Sequence, residues 1–198
     1  MTTPNYETPA ERTAIQTINC TIGLSSLGLV LVAGTPKGIC AILLGSKEHS
    51  LVGQLRSIFP KATPHKDGKE LDELLSRVIQ LIETPNVPAG LPLDIYGTDF
   101  QKRVWEALRK IPAGQTVTYK EVASRVGGTA QEVGEACAAN VIAIAIPCHR
   151  VVRSDGGVAG YRWGVSRKKL LLQREQELAP DPASLFASRA LLKGRSPF

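Results

Sequence analysis

The amino-acid sequence predicts an α+β fold, with a small mixed α/β domain over residues 1–92 and a mostly helical domain over residues 93–178. Three observations predict this division. Two apolar strand segments and an amphipathic helix occupy the first part, a proline-rich segment follows them, and three helix-start motifs occupy the second part. Residues 179–198 are predicted to form a C-terminal extension. At 198 residues, the chain is long enough to bury a substantial core.

The first domain is predicted to contain a hairpin, a helix and a linker. Residues 28–33 and 39–44 are apolar runs, and residues 34–38 between them make a loop of hairpin length. Three prolines and a glycine in residues 84–92 predict a linker, and alternation in residues 93–96 predicts a short strand. The helix is predicted over residues 68–83 from apolar side chains at helical spacing, namely Leu71, Leu74, Leu75, Val78, Ile79 and Ile82.

Each of the three helices of the second domain is predicted to begin at a capping box, in which a threonine is followed three residues later by glutamate or glutamine. Pro112 and Gly114 end the first helix, the glycines at 127 and 128 end the second, and the third reaches about Asn140. Two short helices joined by a glycine turn form either a helix-turn-helix or a pair of core-packing helices, and their spacing fits both. The capping pairs are Thr98 with Gln101, Thr118 with Glu121, and Thr129 with Glu132.

The charge distribution makes the C-terminal part the candidate surface for an anionic partner. The net charge is +6, from 24 Lys and Arg against 18 Asp and Glu. Residues 1–92 hold eight basic and eight acidic side chains, residues 93–178 hold 13 and nine, and residues 179–198 hold three and one. Nucleic acid would suit such a surface, although modest basicity is also common in proteins that do not bind nucleic acid.

Several classes of protein are excluded by composition. No apolar run approaches the roughly 20 residues of a membrane-spanning helix, so no membrane partner is expected. The polar N-terminus, residues 1–13, lacks the form of a signal peptide. Widely spaced cysteines without a CxxC motif argue against a disulfide scaffold and a structural zinc site. We therefore expect a cytoplasmic protein with no metal and no cofactor; its four cysteines are Cys20, Cys40, Cys137 and Cys148.

Cys148 is the candidate nucleophile. Six apolar residues, 141–146, lead into a proline, and the rigid turn that follows holds Cys148, His149 and Arg150. A thiol reacts as a thiolate, which needs a base or a positive environment, and both neighbours supply one. The alternative is a buried structural cysteine beside an incidental histidine, and the local residues leave both interpretations open.

Residues 146–152, with the sequence IPCHRVV, resemble the active-site signature of the methylated-DNA–protein-cysteine methyltransferases, which repair O6-alkylguanine in DNA. The resemblance covers about residues 20–178, and the first half shares the run at residues 38–45 with bacterial Ada-type proteins. It implies a ribonuclease-H-like N-terminal domain and a winged-helix-like helix-turn-helix in the C-terminal domain. Matching segments flank the signature at residues 97–101, 104–105, 111–114, 118–119, 136–140 and 160–164.

The resemblance also implies catalytic roles. Cys148 would attack the alkyl carbon on guanine O6 and keep the alkyl group, while His149 takes the thiol proton through a water molecule. Glu175 would orient the imidazole, although by itself it would be read as an exposed helix residue. Tyr119 would protonate the leaving guanine, and Asn140 would tie the third helix to the active-site turn, in addition to capping that helix.

Further residues are implied in binding. The resemblance predicts that Val151, Tyr161, Arg162 and Lys168 bind substrate. Tyr161 and Arg162 lie where the family's binding loop closes over a base flipped out of the duplex, and Lys168 matches a lysine that the family places behind the active site. DNA-binding residues are predicted at Arg125, Gln131 and Arg150.

The third helix departs from the family pattern. Gln131 stands where the family has an arginine finger, the segment before it is two residues shorter, and Glu132 and Glu135 replace small residues that face DNA. Carboxylates facing phosphates weaken binding. Glu132 is explained as the capping partner of Thr129, whereas Glu135 has no such explanation from the sequence.

The predicted function is single-turnover transfer of an alkyl group from O6-alkylguanine in double-stranded DNA to Cys148, by a monomer. DNA would then be bound by basic residues outside the third helix, among them Arg125, Arg153, Arg162 and Arg167. The alternative is a relative that has lost the arginine finger and acts with Cys148 on a non-duplex or small-molecule substrate. A protein that only binds lesions is disfavoured, since such relatives lack the cysteine.

Overall fold

The four-stranded sheet of the first half is built from the most apolar segments of the chain. The computed structural model describes residues 5–65, 69–85 and 90–178. The first elements are β1 (Asn5–Glu7), α1 (Pro9–Ala14), β2 (Thr17–Ser25), β3 (Gly28–Thr35), β4 (Gly38–Gly45), α2 (Glu48–Ile58), β5 (Thr63–His65) and α3 (Lys69–Glu83). The sheet has the order β4-β3-β2-β5, in which β2, β3 and β4 are antiparallel and β5 runs parallel to β2.

The predicted hairpin and helix of the first half are confirmed. Strands β3 and β4 extend further than expected, because a register shift between Ala33 and Gly34 lets pairing continue to Thr35 and Gly38. The connecting turn is therefore only Pro36 and Lys37, shorter than the predicted loop. Helix α3 begins at Lys69, and the predicted first residue, 68, lies outside the described residues. Residues 86–89 of the predicted linker lie outside them as well.

Five elements of the first half were not predicted: β1, α1, β2, α2 and β5. Strand β2 alternates apolar Ile18 and Cys20 with polar residues, so its sequence lacks the continuous apolar run that marks β3 and β4. Helix α2 buries only Leu51, Leu55 and Ile58, and its sequence also contains glycine. Both elements owe their burial to the neighbouring strands rather than to a strong local signal.

The second half is mostly helical, as predicted. Its elements are β6 (Asp94–Tyr96), α4 (Asp99–Arg109), β7 (Val117–Thr118), α5 (Tyr119–Val126), α6 (Ala130–Ala139), a 3-10 turn (Cys148–Arg150), β8 (Val151–Val152) and α7 (Val165–Glu177). All three predicted capping boxes are present with both reciprocal hydrogen bonds, at the starts of α4, α5 and α6. Helix α5 ends at Val126, and its C-cap is Gly127, whose φ of 74° suits a residue without a Cβ. None of the described helices is long and apolar enough to cross a membrane.

Several contacts join the two halves around one hydrophobic core. Strand β1 pairs in parallel with β6, and isolated bridges link Ile39 to Leu93 and Ile42 to Ile142. Helix α7 is attached to the first half by two arginines. Arg167 donates to the carbonyl of Leu27, and Arg174 donates to Ser26 and to the carbonyl of Ile82. The division at residue 92 stays a prediction, and the predicted extension at 179–198 lies outside the described residues.

We predict that Gly97→Ala destabilises the protein. A Cβ at residue 97 would lie 2.5 Å from the ring of Trp105, which is buried and donates from Nε1 to the carbonyl of Ala136 in α6 at 2.8 Å. Overpacking of this kind typically costs about 1–3 kcal/mol, and urea unfolding would measure the loss. The control is Gly53→Ala in α2, where the added methyl meets nothing within 4 Å and should stabilise the helix by up to about 1 kcal/mol. Equal effects at the two positions would contradict the prediction.

Candidate active site

The segment before Cys148 is a buried series of turns rather than a strand. Ile144 has a φ of 67°, which is rare for a β-branched residue, and the amide of Ala145 donates to the carbonyl of Ala143 at 2.7 Å. These features define a strained γ-turn. Such a conformation persists only where surrounding contacts over-determine it, and the bridge from Ile142 to Ile42 of the sheet is one such contact.

Asn140 braces this segment from inside. It is fully buried and forms the C-cap of α6. Its Oδ1 accepts from the amide of Ile142 at 2.8 Å, while Nδ2 donates to the carbonyl of Ile146 at 3.0 Å and to Sγ of Cys148 at 3.3 Å. One side chain therefore links the end of α6, both ends of the strained turn and the thiol.

Cys148 is held as a protonated thiol. The residue is only 3% exposed, and burial raises the pKa of its thiol to about 11. The hydrogen bond from Asn140 and the positive charge of Lys168 act in the opposite direction but are outweighed. A base is therefore required to remove the proton when the sulfur reacts.

His149 is placed to serve as that base. Its Nε2 lies 2.8 Å from Oε1 of Glu175, while Nδ1 is buried and has no partner among the described residues. Because a carboxylate only accepts hydrogen bonds, the proton of the neutral ring lies on Nε2 and the lone pair on Nδ1. Burial lowers the pKa of His149, outweighing the opposite effect of Glu175, so the ring is neutral near pH 7 and able to accept a proton.

Glu175 is buried and lies among four donor groups. Besides His149, the carboxylate accepts from Nε and Nη2 of Arg150, at 3.0 and 2.9 Å, and from the amide of Gly114 at 3.2 Å. Burial alone would raise the pKa of Glu175, but the hydrogen bonds from His149 and Arg150 outweigh it and lower the pKa to about 2. The interpretation of this residue as an exposed helix position is wrong, since it is 1% exposed.

Arg150 is committed to this network. In addition to Glu175, its Nη1 donates to the carbonyl of Ile111, and its side chain is 13% exposed. The guanidinium thus ties the 3-10 turn to α7 and to the loop between α4 and α5. The DNA-binding role predicted for Arg150 stays a prediction, and the contacts made by the side chain point to a structural task.

A cavity of about 370 Å³ opens in front of Cys148. Tyr161 forms one wall; its ring packs edge-on against His149 and Trp163, at centroid distances of 6.3 and 5.1 Å. Arg162 forms another and donates to the carbonyl of Ala138 at 2.9 Å. The volume of the cavity suits a small planar ligand. The lining residues are Tyr119, Gly134, Cys137, Ala138, Cys148, Gly160, Tyr161 and Arg162.

Tyr119 and Lys168 lie side by side near the cavity. Nζ of Lys168 lies 6.0 Å from the centre of the Tyr119 ring and donates to the carbonyl of Val151 at 2.6 Å. Burial raises the pKa of Tyr119 to about 12 and lowers that of Lys168. Tyr119 therefore keeps its proton at pH 7 and can donate it. Val151 contributes through its backbone, which anchors the buried ammonium.

The exposed face of α6 carries no basic residue. Gln131 and Glu135 lie one turn apart on this face, and Nε2 of Gln131 donates to Oε1 of Glu135 at 3.1 Å. Glu132 accepts from the amide and hydroxyl of Thr129, as the capping box predicted. Glu135, which the sequence left unexplained, is thus the hydrogen-bond partner of the Gln131 amide.

The structure brings most of the predicted site residues together. Eight of them form or adjoin the cavity: Tyr119, Asn140, Cys148, His149, Tyr161, Arg162, Lys168 and Glu175. Gln131 and Arg125 lie on the exposed surface of α6 and α5 instead. Sequence reasoning missed the amide of Gly114 and the carbonyl of Ile111, because backbone contacts leave no residue-type signal. It also gave no role to Cys137, which appeared only in the cysteine count and in the matching segment at residues 136–140.

Comparison with known proteins gives a consistent picture for the second half of the chain. Residues 99–177 match the family described as 6-O-methylguanine DNA methyltransferase, DNA binding domain. This segment runs from the start of α4 to the end of α7, and so includes Cys148, His149 and Glu175.

Two relatives extend the similarity into the first half. The chain is 49% identical over 153 residues to the bifunctional transcriptional activator/DNA repair enzyme Ada of Escherichia coli, covering 76% of this chain and 43% of that protein. It is 40% identical over 156 residues to the methylated-DNA–protein-cysteine methyltransferase of Candida albicans, covering 74% of this chain and 89% of that protein. The match thus spans less than half of Ada but most of the Candida protein.

The fold is similar to that of solved structures. The crystal structure of Mycobacterium tuberculosis O6-methylguanine methyltransferase matches with a TM-score of 0.68 and 31% identity, covering 85% of this chain and 99% of that chain. The structure of Mycobacterium tuberculosis OGT in complex with DNA matches with a TM-score of 0.66 and 31% identity, covering 86% and 99%. At this identity and coverage the similarity extends to both halves of the described chain.

We predict that the Glu175 network makes the protein acid-sensitive. The pKa of Glu175 falls from an ordinary value of 4.5 to about 2 on folding, so its stabilisation is complete above pH 4.5 and is lost as the pH falls towards 2. That difference corresponds to about 3 kcal/mol. Urea unfolding at pH 6 and pH 3 would measure about 2 kcal/mol of it, because pH 3 lies only part of the way from 4.5 to 2.

The matched control is Glu177→Gln, which changes an exposed carboxylate two residues away on α7. Glu175→Gln should lower stability at pH 6 and flatten the pH dependence below 4.5, whereas Glu177→Gln should leave that dependence intact. Parallel curves for the two variants would rule out the network as the source.

Proposed function

The chain belongs to the methylated-DNA–protein-cysteine methyltransferase family, and we propose that it transfers an alkyl group from O6-alkylguanine in DNA to Sγ of Cys148. One observation carries the proposal. Cys148 lies on the wall of the 370 Å³ cavity, within hydrogen-bond reach of Asn140. In the adjacent His149, Nδ1 has no partner among the described residues, and Nε2 is paired with Glu175. Cys148, His149 and Glu175 thus provide the nucleophile, the base and the orienting carboxylate that a displacement at carbon requires.

The reaction begins with deprotonation of Cys148. Nδ1 of His149 takes the thiol proton through a water molecule, and Glu175 stabilises the imidazolium that forms. Its carboxylate is suited to this because its pKa of about 2 keeps it ionised throughout. Asn140 donates to the sulfur and stabilises the negative charge that develops on it.

The thiolate then attacks the alkyl carbon. The S–C bond forms as the bond between that carbon and guanine O6 breaks, and the electron pair passes to the guanine. Tyr119 supplies a proton to the leaving base, for which a protonated hydroxyl in the cavity wall is needed. The product is a thioether, which none of the groups in the cavity can cleave, so each molecule reacts once.

The guanine reaches Cys148 by leaving the base stack. O6 of a stacked base is inaccessible to a sulfur that is 3% exposed, so the nucleotide must be extruded into the cavity. Tyr161 offers an aromatic wall, and Arg162 stands at the edge, held by the carbonyl of Ala138. Arg125 on α5 and Arg153 after β8 are exposed, and we propose that they contact phosphates.

The finer description of the fold belongs to the same proposal. We assign the first domain, residues 1–92, to the ribonuclease-H-like type, which is supported by three antiparallel strands and a parallel fourth. We assign the second, residues 93–178, to the winged-helix-like type, supported by α4, α5 and α6 with the small β7–β8 pair. A cytoplasmic monomer is proposed on the same family grounds.

A second candidate function is favoured by the face of α6. Gln131, Glu132 and Glu135 place two carboxylates and no cation on the surface that would meet the duplex. Carboxylates forfeit the counterion release that drives DNA binding. A non-duplex or small-molecule alkyl donor would not require that surface, and Cys148 could then react with it by the same chemistry.

Intact-mass measurement tests the primary proposal. Mixing the protein with a duplex that contains O6-methylguanine should add one methyl group, located on Cys148 by peptide mapping. Cys148→Ala should gain none. His149→Gln should react at least about 100-fold more slowly, because it lacks the general base. Modification with the free base or another small donor, but not with the duplex, would support the second candidate instead.

Charge substitution on α6 tests the duplex interface. Gln131→Arg with Glu135→Gly should tighten binding to duplex DNA and steepen the salt dependence by about 0.9 in log–log slope for each phosphate gained. Fluorescence anisotropy at several salt concentrations would measure both.

The matched control is Gln173→Arg with Glu177→Gly on α7. It changes an equivalent exposed pair, in which Gln173 donates to Glu177 at 2.8 Å. If both double variants change affinity equally, the effect is one of net charge and α6 does not face DNA.

A further inference from the structure

Cys137 is a second thiol in the wall of the cavity in front of Cys148. It lies in the last turn of α6, three residues before Asn140, and it is buried with 8% of its surface exposed. The cavity of about 370 Å³ is lined by both cysteines. The alkyl transfer proposed above uses only one of them.

The two sulfur atoms share an electrostatic environment. Burial raises the pKa of each thiol, and a charge on Cys148 raises the pKa of Cys137 further. Lys168 acts on both and favours their ionised forms. The pair is therefore close enough to interact and lies beside one buried cation.

We propose that Cys137 is a second alkyl acceptor, which captures the free end of a bifunctional two-carbon group after Cys148 has taken the first end. The substrate class is a 2-haloethyl group, delivered from guanine O6 or from a 1,2-dihaloethane. Where guanine O6 delivers the haloethyl group, the inference rests on the alkyl transfer proposed above. The product is an ethylene bridge between the two sulfur atoms.

The chemistry balances without an oxidant or reductant. In the first step Sγ of Cys148 forms a bond to one carbon, and the bond from that carbon to guanine O6 or to halide breaks. The alkylated sulfur then displaces the remaining halide internally, giving a three-membered episulfonium ring. Sγ of Cys137 attacks a ring carbon, the ring opens, and the thiol proton leaves with the halide. Each new S–C bond thus replaces one bond from carbon to a leaving group.

The placement of Cys137 favours this outcome over hydrolysis. A nucleophile in the same cavity has an effective concentration far above that of a solute, and effective molarities of well-oriented groups reach about 10⁵ M or more. The other two cysteines are remote from the cavity: Cys20 is buried in β2, and Cys40 in β4 donates its S–H to the carbonyl of Ala33. Cys137 is therefore the only thiol among the described residues that shares a cavity wall with Cys148.

Treatment with 1,2-dibromoethane tests the bridge, with bromoethane as the monofunctional control. The chain has four free thiols. Dibromoethane should reduce the number titrated after denaturation to two and add one ethylene unit, with Cys137 and Cys148 joined in peptide maps. Bromoethane should leave three thiols and an ethyl group on Cys148.

Two variants sharpen the result. In Cys137→Ala, any dibromoethane adduct on Cys148 should remain unbridged, as a bromoethyl or hydroxyethyl group, whereas Cys40→Ala should bridge as the parent does. An unbridged adduct in the parent protein, or a bridge to any other cysteine, would overturn the inference.

A parallel reaction with the O6-methylguanine duplex separates the two proposals. Methyl transfer without a dibromoethane bridge would remove the inference and leave the proposed function intact. A bridge without methyl transfer would support the two-thiol cavity but overturn transfer from duplex DNA.

Discussion

The buried carboxylate of Glu175 is the contact on which the site depends. It joins α7 to the 3-10 turn through His149 and Arg150, and to the loop after α4 through the amide of Gly114. A buried charge is unfavourable unless it is paired and fully hydrogen-bonded, and here the donors are sufficient to keep its pKa at about 2. The same contact determines which ring nitrogen of His149 carries the proton. Position, protonation state and local stability thus come from one interaction.

A second constraint, Asn140, acts from the opposite side of the nucleophile. It closes α6, holds both ends of the strained turn around Ile144 and donates to the sulfur of Cys148. The thiol therefore sits in a rigid turn and stays protonated until a base acts on it, since burial raises its pKa to about 11. This arrangement suits a protein whose nucleophile has to be spared from unproductive reactions. It also makes the end of α6, where Cys137 lies, part of the active site.

The placement of charge matters more than its total. A net charge of +6 with a basic second half agrees with a nucleic-acid partner. On α6, however, Gln131 is paired with Glu135, and Glu132 is used in the capping box, so the exposed face has no cation to offer. Electrostatic contacts with phosphates therefore have to come from arginines on neighbouring elements. The helix can still enter a groove, but its contribution to affinity would rest on shape and hydrogen bonds rather than on counterion release.

The sequence by itself determined the features that are written locally. The capping boxes at Thr98, Thr118 and Thr129 were predictable because partners three residues apart form them without help from the rest of the chain. The sequence also predicted the apolar strands β3 and β4 and the motif around Cys148. Weakly patterned elements such as β2 and α2 were not, because burial against neighbouring strands creates them. Only the tertiary structure decided that Glu175 is buried, that Arg150 binds it, and that Cys137 lines the same cavity as Cys148. Each of these depends on side chains from distant segments meeting in space, which no local pattern of residues encodes.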